Sequence, residues 1–190
     1  MIMLLGGNRD AATKFAVHKE FACYYSPVFK AAFNSKFMEG ITQTYRLSDF
    51  DENVVHLLVE WIYLQDIHTS ASGDNYSNVI ELWVLGDRLC IPRLQNKSIE
   101  WLRKMDREAK NGTRYMTTNL ENLYNKTRSG SLLRKFAVAQ CAEHIKPDTI
   151  RAKHELFPKE FILDYASYIY TKLSVFRSVS WNVSTQDYYI

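Results

Sequence analysis

One run of apolar residues constrains the fold of this chain more than any other. From Val54 to Leu64 the sequence is VVHLLVEWIYL, which is apolar on nearly every face of a helix. Such a helix has no side suited to water, so we expect it to be buried, with the other elements packed against it. Asp49 and Glu52 precede it at the spacing of a capping box, and we predict that they open this helix.

The residues before this helix predict a small sheet. Residues 1–5 and 13–17 are typical of two short strands, and the turn-rich Gly6–Asp10 between them predicts that they pair as a hairpin. Residues 44–47 predict a third strand because three of them are β-branched, aromatic or aliphatic. Gly40 predicts a turn before that third strand.

Cap and proline signals place several helices. Ser26 is suited to cap a helix, and Pro27 fits the first helical position, where its missing N–H costs nothing. The polar stretch 65–78 predicts a surface loop before helical periodicity returns. Ile91 precedes a proline, which disfavours helical backbone, so one helix should end there and Pro92 should begin the next.

The second half of the chain predicts helices throughout. Asn111-Gly112 is the most convincing boundary, and Thr118 and Glu121 are spaced as a second capping box beyond it. Pro147 and Pro158 each precede a further stretch with helical spacing of apolar residues.

Five short motifs follow one another along residues 15–63: Phe15-x-Val17-His18-Lys19, Ser26-Pro27-x-Phe29, Phe37-Met38-Glu39, Leu47-x-Asp49 and Trp61-Ile62-Tyr63. The later segment 82–96 is typical of two helices joined just before a proline, here Pro92. In order and spacing these motifs resemble the BTB/POZ domain. The resemblance covers roughly residues 1–107, whereas the helices beyond it resemble the extension that often follows such a domain.

The resemblance implies an α+β fold, in which a small three-stranded sheet is flanked by a helical cluster. It places the BTB/POZ domain at 1–107 and an all-α extension at 108–175, and the polar, β-prone residues that follow predict a loosely ordered tail at 176–190. It also implies a protein–protein interaction module and not an enzyme. We therefore expect protein partners, with no cofactor, no nucleic acid and no membrane.

Composition agrees with a folded interaction protein. Aromatic residues make up 14% of the chain, and 24 Lys and Arg against 21 Asp and Glu give a net charge of +3. That charge is too small and too dispersed to indicate nucleic-acid binding. No apolar stretch approaches the length of a membrane span or of a secretion signal, so we expect the cytoplasm, the nucleus or both.

The cysteines and histidines show no pattern of a catalytic or metal site. Cys23, Cys90 and Cys141 are far apart and lie in apolar surroundings, so we expect buried, reduced thiols. No two of the five histidines have the spacing of a metal-binding pair. His18 follows a strand, and we expect its imidazole to bond backbone groups and fix the turn. A cysteine-dependent hydrolase, with Cys23 or Cys141 activated by a distant histidine, is the alternative from another class.

The resemblance gives Phe37-Met38-Glu39 a specific meaning. In BTB proteins that recruit a cullin ubiquitin-ligase scaffold, the connection after the helix of Phe29 and Phe33 carries a hydrophobic-x-Glu motif. This implies an apolar anchor with a nearby carboxylate and hence a substrate adaptor. Two alternatives stay open: Phe37 packs back onto the domain with Glu39 solvated, or the protein is a transcription or chromatin factor that recruits corepressors.

The resemblance also implies a homodimer. Many dimeric members pair an aspartate before the first strand with a basic residue after the Val-His pair. Lys19 occupies that basic position, but no aspartate lies beside the first strand. We expect an apolar N-terminal edge that a second copy could cover. The candidate dimer residues are Met1, Ile2, Met3, Leu4, Leu5 and Lys19.

Overall fold

Four segments are described in the computed structural model of the protein: residues 1–7, 12–70, 72–108 and 114–174. The predicted boundary at Asn111-Gly112 and the predicted tail at 176–190 lie outside them. Within the described segments, no helix is both long enough and apolar enough to cross a bilayer.

The three predicted strands are confirmed and form one mixed sheet. They are β1 (Ile2–Gly6), β2 (Thr13–Val17) and β3 (Thr44–Leu47). The order is β2-β1-β3, in which β1 is antiparallel to β2, as the predicted hairpin requires, and parallel to β3. β1 is almost entirely apolar because it lies in the middle of the sheet and is buried, and flanking strands with more polar residues cover its edges.

Two short helices follow the hairpin. They are α1 (Lys19–Tyr25) and α2 (Pro27–Phe33), separated by a single residue, Ser26. The predicted cap is confirmed, since the Ser26 hydroxyl accepts a hydrogen bond from the Phe29 N–H at 3.1 Å. The same hydroxyl donates to the carbonyl of Leu89 at 2.7 Å, so this buried serine also joins the start of α2 to a distant part of the chain.

A third short helix, α3 (Met38–Thr42), was not predicted. Gly40, which we expected to form a turn, lies inside it. The prediction was wrong because α3 approaches the preceding chain so closely that only glycine fits: a Cβ at position 40 would lie 1.9 Å from the Ser35 carbonyl oxygen. Glycine here serves a close backbone contact and does not break the helix.

The apolar run forms α4 (Glu52–Leu64), as predicted. Its cap is Asp51, whose carboxylate accepts from the Asn53 N–H at 2.9 Å, and not the predicted Asp49. Asp49 instead accepts a hydrogen bond from Arg88 at 2.8 Å. Six α4 side chains are buried: Val54, Val55, Leu57, Leu58, Trp61 and Ile62.

The next two helices are α5 (Gly73–Arg88) and α6 (Pro92–Glu108). The predicted loop at 65–78 is shorter than expected, because Ser72 caps α5 by accepting from the Asn75 N–H. Cys90, predicted to be buried, is exposed between these helices, since its left-handed backbone (φ 54°) turns the chain there.

The remaining helices are α7 (Arg114–Lys126), α8 (Leu132–His144), α9 (Pro147–Ala152), a 3-10 turn (His154–Leu156) and α10 (Lys159–Ser174). Thr118 lies within α7 and does not cap it, so the second predicted capping box was wrong. Ser131 caps α8 by accepting a hydrogen bond from the Leu133 N–H, and Gly130 precedes it in a left-handed turn.

The helical extension shares a single core with the sheet and its helices. α7 packs on α5 and α6, and its buried residues join the same apolar cluster as those of α4. The buried Arg134 of α8 ties the extension together by donating to the carbonyls of Tyr124 and Thr127 and pairing with Glu160. Because these contacts share one core, the extension should unfold together with the rest of the chain.

A buried carboxyl lies where α5 and α6 meet the extension. The Tyr76 hydroxyl donates to Asp106 Oδ2 at 2.8 Å, while Asp106 Oδ1 forms no hydrogen bond with any described residue. Burial raises the pKa of Asp106 from 3.8 to about 6, against smaller opposing effects of Tyr76 and His144. Nearby Cys141 on α8 has its pKa raised to about 12 by burial and by this carboxyl.

We predict that Asp106→Asn stabilises the protein at neutral pH. The carboxyl of Asp106 binds its proton more tightly in the folded chain than in the unfolded chain. The stability that this proton contributes is therefore fully present below pH 3.8 and is lost as the pH rises through about 6. The loss at neutral pH is on the order of 3 kcal/mol. Urea unfolding at pH 4 and pH 7.5 should show a gain for the variant that is much larger at the higher pH, because little of the stability is yet lost at pH 4. Asp148→Asn, on the exposed surface of α9, is the control. An identical pH dependence in wild type and Asp106→Asn would contradict the prediction.

Candidate protein-interaction surface

The path of the chain into α3 is fixed by local hydrogen bonds. Ser35 Oγ donates to the Ala32 carbonyl at 2.7 Å and accepts from the Phe37 N–H at 3.1 Å. At the other end Gln43 adopts a left-handed backbone (φ 51°), and its side chain donates to the carbonyls of Gly40 and Phe33. A helix of five residues is too short to hold itself together, so these bonds hold α3 in place.

The outer face of α3 is apolar and exposed. Phe37 is 76% exposed, Met38 67% and Ile41 70%. Ile41 lies three residues after Met38, and its N–H donates to the Phe37 carbonyl at 3.0 Å, so the three side chains belong to one short turn of helix. Three large apolar side chains this exposed and this close together are typical of a surface that another molecule covers.

Beside this face lies a shallow depression of about 590 Å³ between α3, β3 and the end of α5. Met38 and the half-buried Glu39 form its α3 side. Arg46 of β3 and Arg88 of α5 supply positive charge at its other side. The α3 surface, by which we mean Phe37, Met38, Glu39 and Ile41, therefore combines apolar anchors with one carboxylate, and positive charge lies across the depression from it.

A second exposed patch lies on α1 and the end of α4. Phe21 and Tyr63 meet edge to face with ring centroids 5.6 Å apart, and both rings are partly exposed. Tyr24 and Leu64 are more exposed still. We call Phe21, Tyr24, Tyr63 and Leu64 the aromatic face.

A comparison with protein-family models finds the BTB/POZ domain over residues 3–105, which is more than half of the chain. The chain belongs to the BTB/POZ family. No curated protein matches it closely enough to serve as a relative. BTB/POZ domains are protein-interaction domains and not an enzyme family, so this chain is a protein–protein interaction module.

Cys23 and Cys141 of this BTB/POZ protein lack the surroundings of a nucleophile. Burial raises the pKa of Cys23, and Lys19 and Lys30 only partly oppose that effect. Cys141 is buried with a pKa of about 12, so both thiols are protonated at neutral pH. Among the described residues, no group of histidine, cysteine and carboxylate side chains could hold a metal ion.

His18 has a different partner from the one we predicted. Its backbone N–H donates to the Tyr63 hydroxyl at 3.0 Å, and its Nδ1 lies 2.8 Å from the same oxygen. The expectation that the imidazole would bond backbone groups was wrong, because α4 brings Tyr63 to the strand-to-helix junction from 45 residues away. His18 therefore fixes the aromatic face as well as the turn.

The predicted N-terminal edge does not exist in this BTB/POZ domain. β1 is hydrogen-bonded on both sides, and Ile2, Leu4 and Leu5 are buried, so only Met1 and, in part, Met3 reach the surface. Lys19 is also engaged within the chain, donating to the Phe33 carbonyl at 2.8 Å. The prediction of an exposed edge was wrong because β3, which comes about forty residues later in the sequence, pairs with the second side of β1. Homodimerisation through these residues stays a prediction.

Sequence analysis found three members of the α3 surface and missed the fourth. Ile41 follows Phe37 by four residues, which is helical spacing, but Gly40 led us to predict a turn there. The aromatic face was also missed, since its residues come from α1 and α4, and only the fold brings them together.

We predict that Gly40→Ala displaces α3. The new methyl group would overlap the Ser35 carbonyl, so the backbone must shift, at a cost of about 1–3 kcal/mol. Trypsin should then cleave faster after the exposed Lys36, which precedes α3. Gly130→Ala is the matched control, because its site is left-handed and open, so the variant should lose stability through strain without altering cleavage at Lys36. Unchanged cleavage in Gly40→Ala would contradict the prediction.

Proposed function

We propose that this protein is a substrate adaptor for a cullin-type ubiquitin ligase and that the cullin docks on the α3 surface. The observation that carries the proposal is the exposure of Phe37, Met38 and Ile41 on a helix that the surrounding chain holds rigidly in place. Exposed apolar residues on a fixed element can enter a partner's pocket at little entropic cost.

Each residue of the α3 surface has a role in this proposal. Phe37 and Met38 provide the apolar contact, because burying a large side chain that is now in water is favourable by about 1.5–3 kcal/mol. Glu39 lies in the first turn of α3 and faces the depression, where its carboxylate can accept hydrogen bonds from the partner.

The direct test is binding of the purified chain to the recombinant N-terminal helical region of a cullin that binds BTB proteins. Phe37→Ala should weaken binding by roughly tenfold or more, and Glu39→Ala should weaken it less, as expected for a buried anchor beside a rim charge. Leu132→Ala is the matched control, since Leu132 is equally exposed but lies on α8. Biolayer interferometry gives the dissociation constants, and circular dichroism confirms that each variant is folded.

Two results would contradict the adaptor proposal. A wild-type chain that does not bind the cullin region at tens of micromolar would remove it and would favour the alternative of a corepressor-recruiting BTB protein. Equal weakening by Phe37→Ala and Leu132→Ala would show that the cullin does not recognise the α3 surface.

We further propose that the protein forms a homodimer through the aromatic face. Phe21, Tyr24 and Tyr63 are large, exposed and close together, and the Tyr63 hydroxyl is held by His18. A patch of this kind can cover itself across a two-fold axis, because each copy then presents the same aromatic surface to the other. Tyrosines suit such an interface, since the ring can be buried while the hydroxyl keeps a polar contact.

We predict that Phe21→Ser combined with Tyr24→Ser shifts the protein from dimer to monomer. Multi-angle light scattering across micromolar concentrations measures the mass directly. Phe37→Ala is the control, because it removes an exposed aromatic ring from the other surface and should leave the dimer intact. A wild-type chain that is monomeric at 50 µM, on the order of the weakest dimers of interest, would refute this interface.

A further inference from the structure

The depression beside α3 contains one positive charge, Arg46, that no described residue neutralises. Arg46 lies on β3, a strand at the edge of the sheet, and its side chain is exposed. It forms no ion pair or side-chain hydrogen bond with any residue in the described part of the chain. Its neighbour Arg88 differs, because Asp49 neutralises it at 2.8 Å.

Arg46 is held in position although no residue in the described segments pairs with its side chain. β3 is paired along its length with β1, with Arg46 opposite Leu5. Leu47, the next residue, is fully buried, so the alternation of the strand turns Arg46 outward, towards the depression that Met38 and Glu39 also line. The only carboxylate among the lining residues, Glu39, does not pair with it.

We propose that Arg46 is a charge-selecting residue beside the α3 surface and that the docked partner carries an acidic side chain beside its apolar contact. This inference rests on the proposed function, since it concerns the same surface. An unpaired guanidinium at the rim of an apolar contact attracts a carboxylate during approach and can bind it through two parallel hydrogen bonds. A partner with a basic residue at that position would be repelled.

The physical signature of such a residue lies in the association rate. Rim charges act mainly by steering the encounter, whereas buried anchors determine how slowly the complex separates. Phe37 and Arg46 should therefore affect different rate constants. Because Arg46 is exposed, salt should screen its effect strongly, and the effect of Phe37 hardly at all.

The test uses the full chain and the same cullin region, with association and dissociation rates measured at 50 mM and 300 mM NaCl. Arg46→Glu should slow association by about tenfold at the lower salt, and most of that difference should vanish at the higher salt. Arg46→Gln should show a smaller effect in the same direction. Arg93→Glu is the matched control, as it makes the same charge change at an exposed position on α6.

The outcomes separate the two proposals. If the wild type binds, Phe37→Ala weakens binding and Arg46→Glu associates at the wild-type rate, the charge-selecting role is overturned while α3 docking stands. If Arg46→Glu and Arg93→Glu slow association equally, the slower association is due to the change in net charge. The charge-selecting role of Arg46 is then overturned as well. If the wild type does not bind the cullin region, the proposed function fails and this inference fails with it.

Discussion

The burial of α4 is the constraint on which the rest of the structure depends. Its apolar residues occupy the space against β1, α1 and α5, and Trp61 makes an edge-to-face contact with Tyr25 of α1 at 5.2 Å. α3 packs mainly against α2 and β3, at the periphery of this core, and Phe37 and Ile41 stay exposed there. The end of α4 emerges from the core and contributes Tyr63 and Leu64 to the aromatic face.

Features with local causes could be predicted from the sequence. The Ser26 cap, the Pro92 start and all three strands depend on neighbouring residues, and each lies where the pattern indicated. The wrong predictions are those in which a side chain bonds a residue far away in the sequence instead of the neighbouring group that we expected. Asp49 has the spacing of a cap but pairs with Arg88, 39 residues away, and His18 bonds Tyr63. The family motif identified Phe37, Met38 and Glu39, whereas Ile41 and Arg46 required knowledge of α3 and of the depression.

The extension packs on the BTB/POZ domain through polar contacts as well as through the shared apolar cluster. Lys126 of α7 pairs with Glu81 of α5, and the amide of Asn122 donates to Ser77 and Glu81. Asp106 lies buried in the same region without full hydrogen bonding, which costs stability at neutral pH. That cost is tolerated because the surrounding apolar cluster is large. A change in the extension should therefore reach α5, which also forms one side of the depression through Arg88.

The size of α3 limits what it can do alone. A stable interface buries roughly 800 Å² on each partner, and a five-residue helix cannot supply that area. A partner docked on α3 would therefore have to extend over the depression, where it would meet Tyr45 and Arg46 of β3. Apolar anchors on α3 would then give the complex its lifetime, and the β3 charge would select which partner approaches. This division follows from the fold, since α3 presents three apolar side chains to water and β3 presents its one cation at the edge of the sheet.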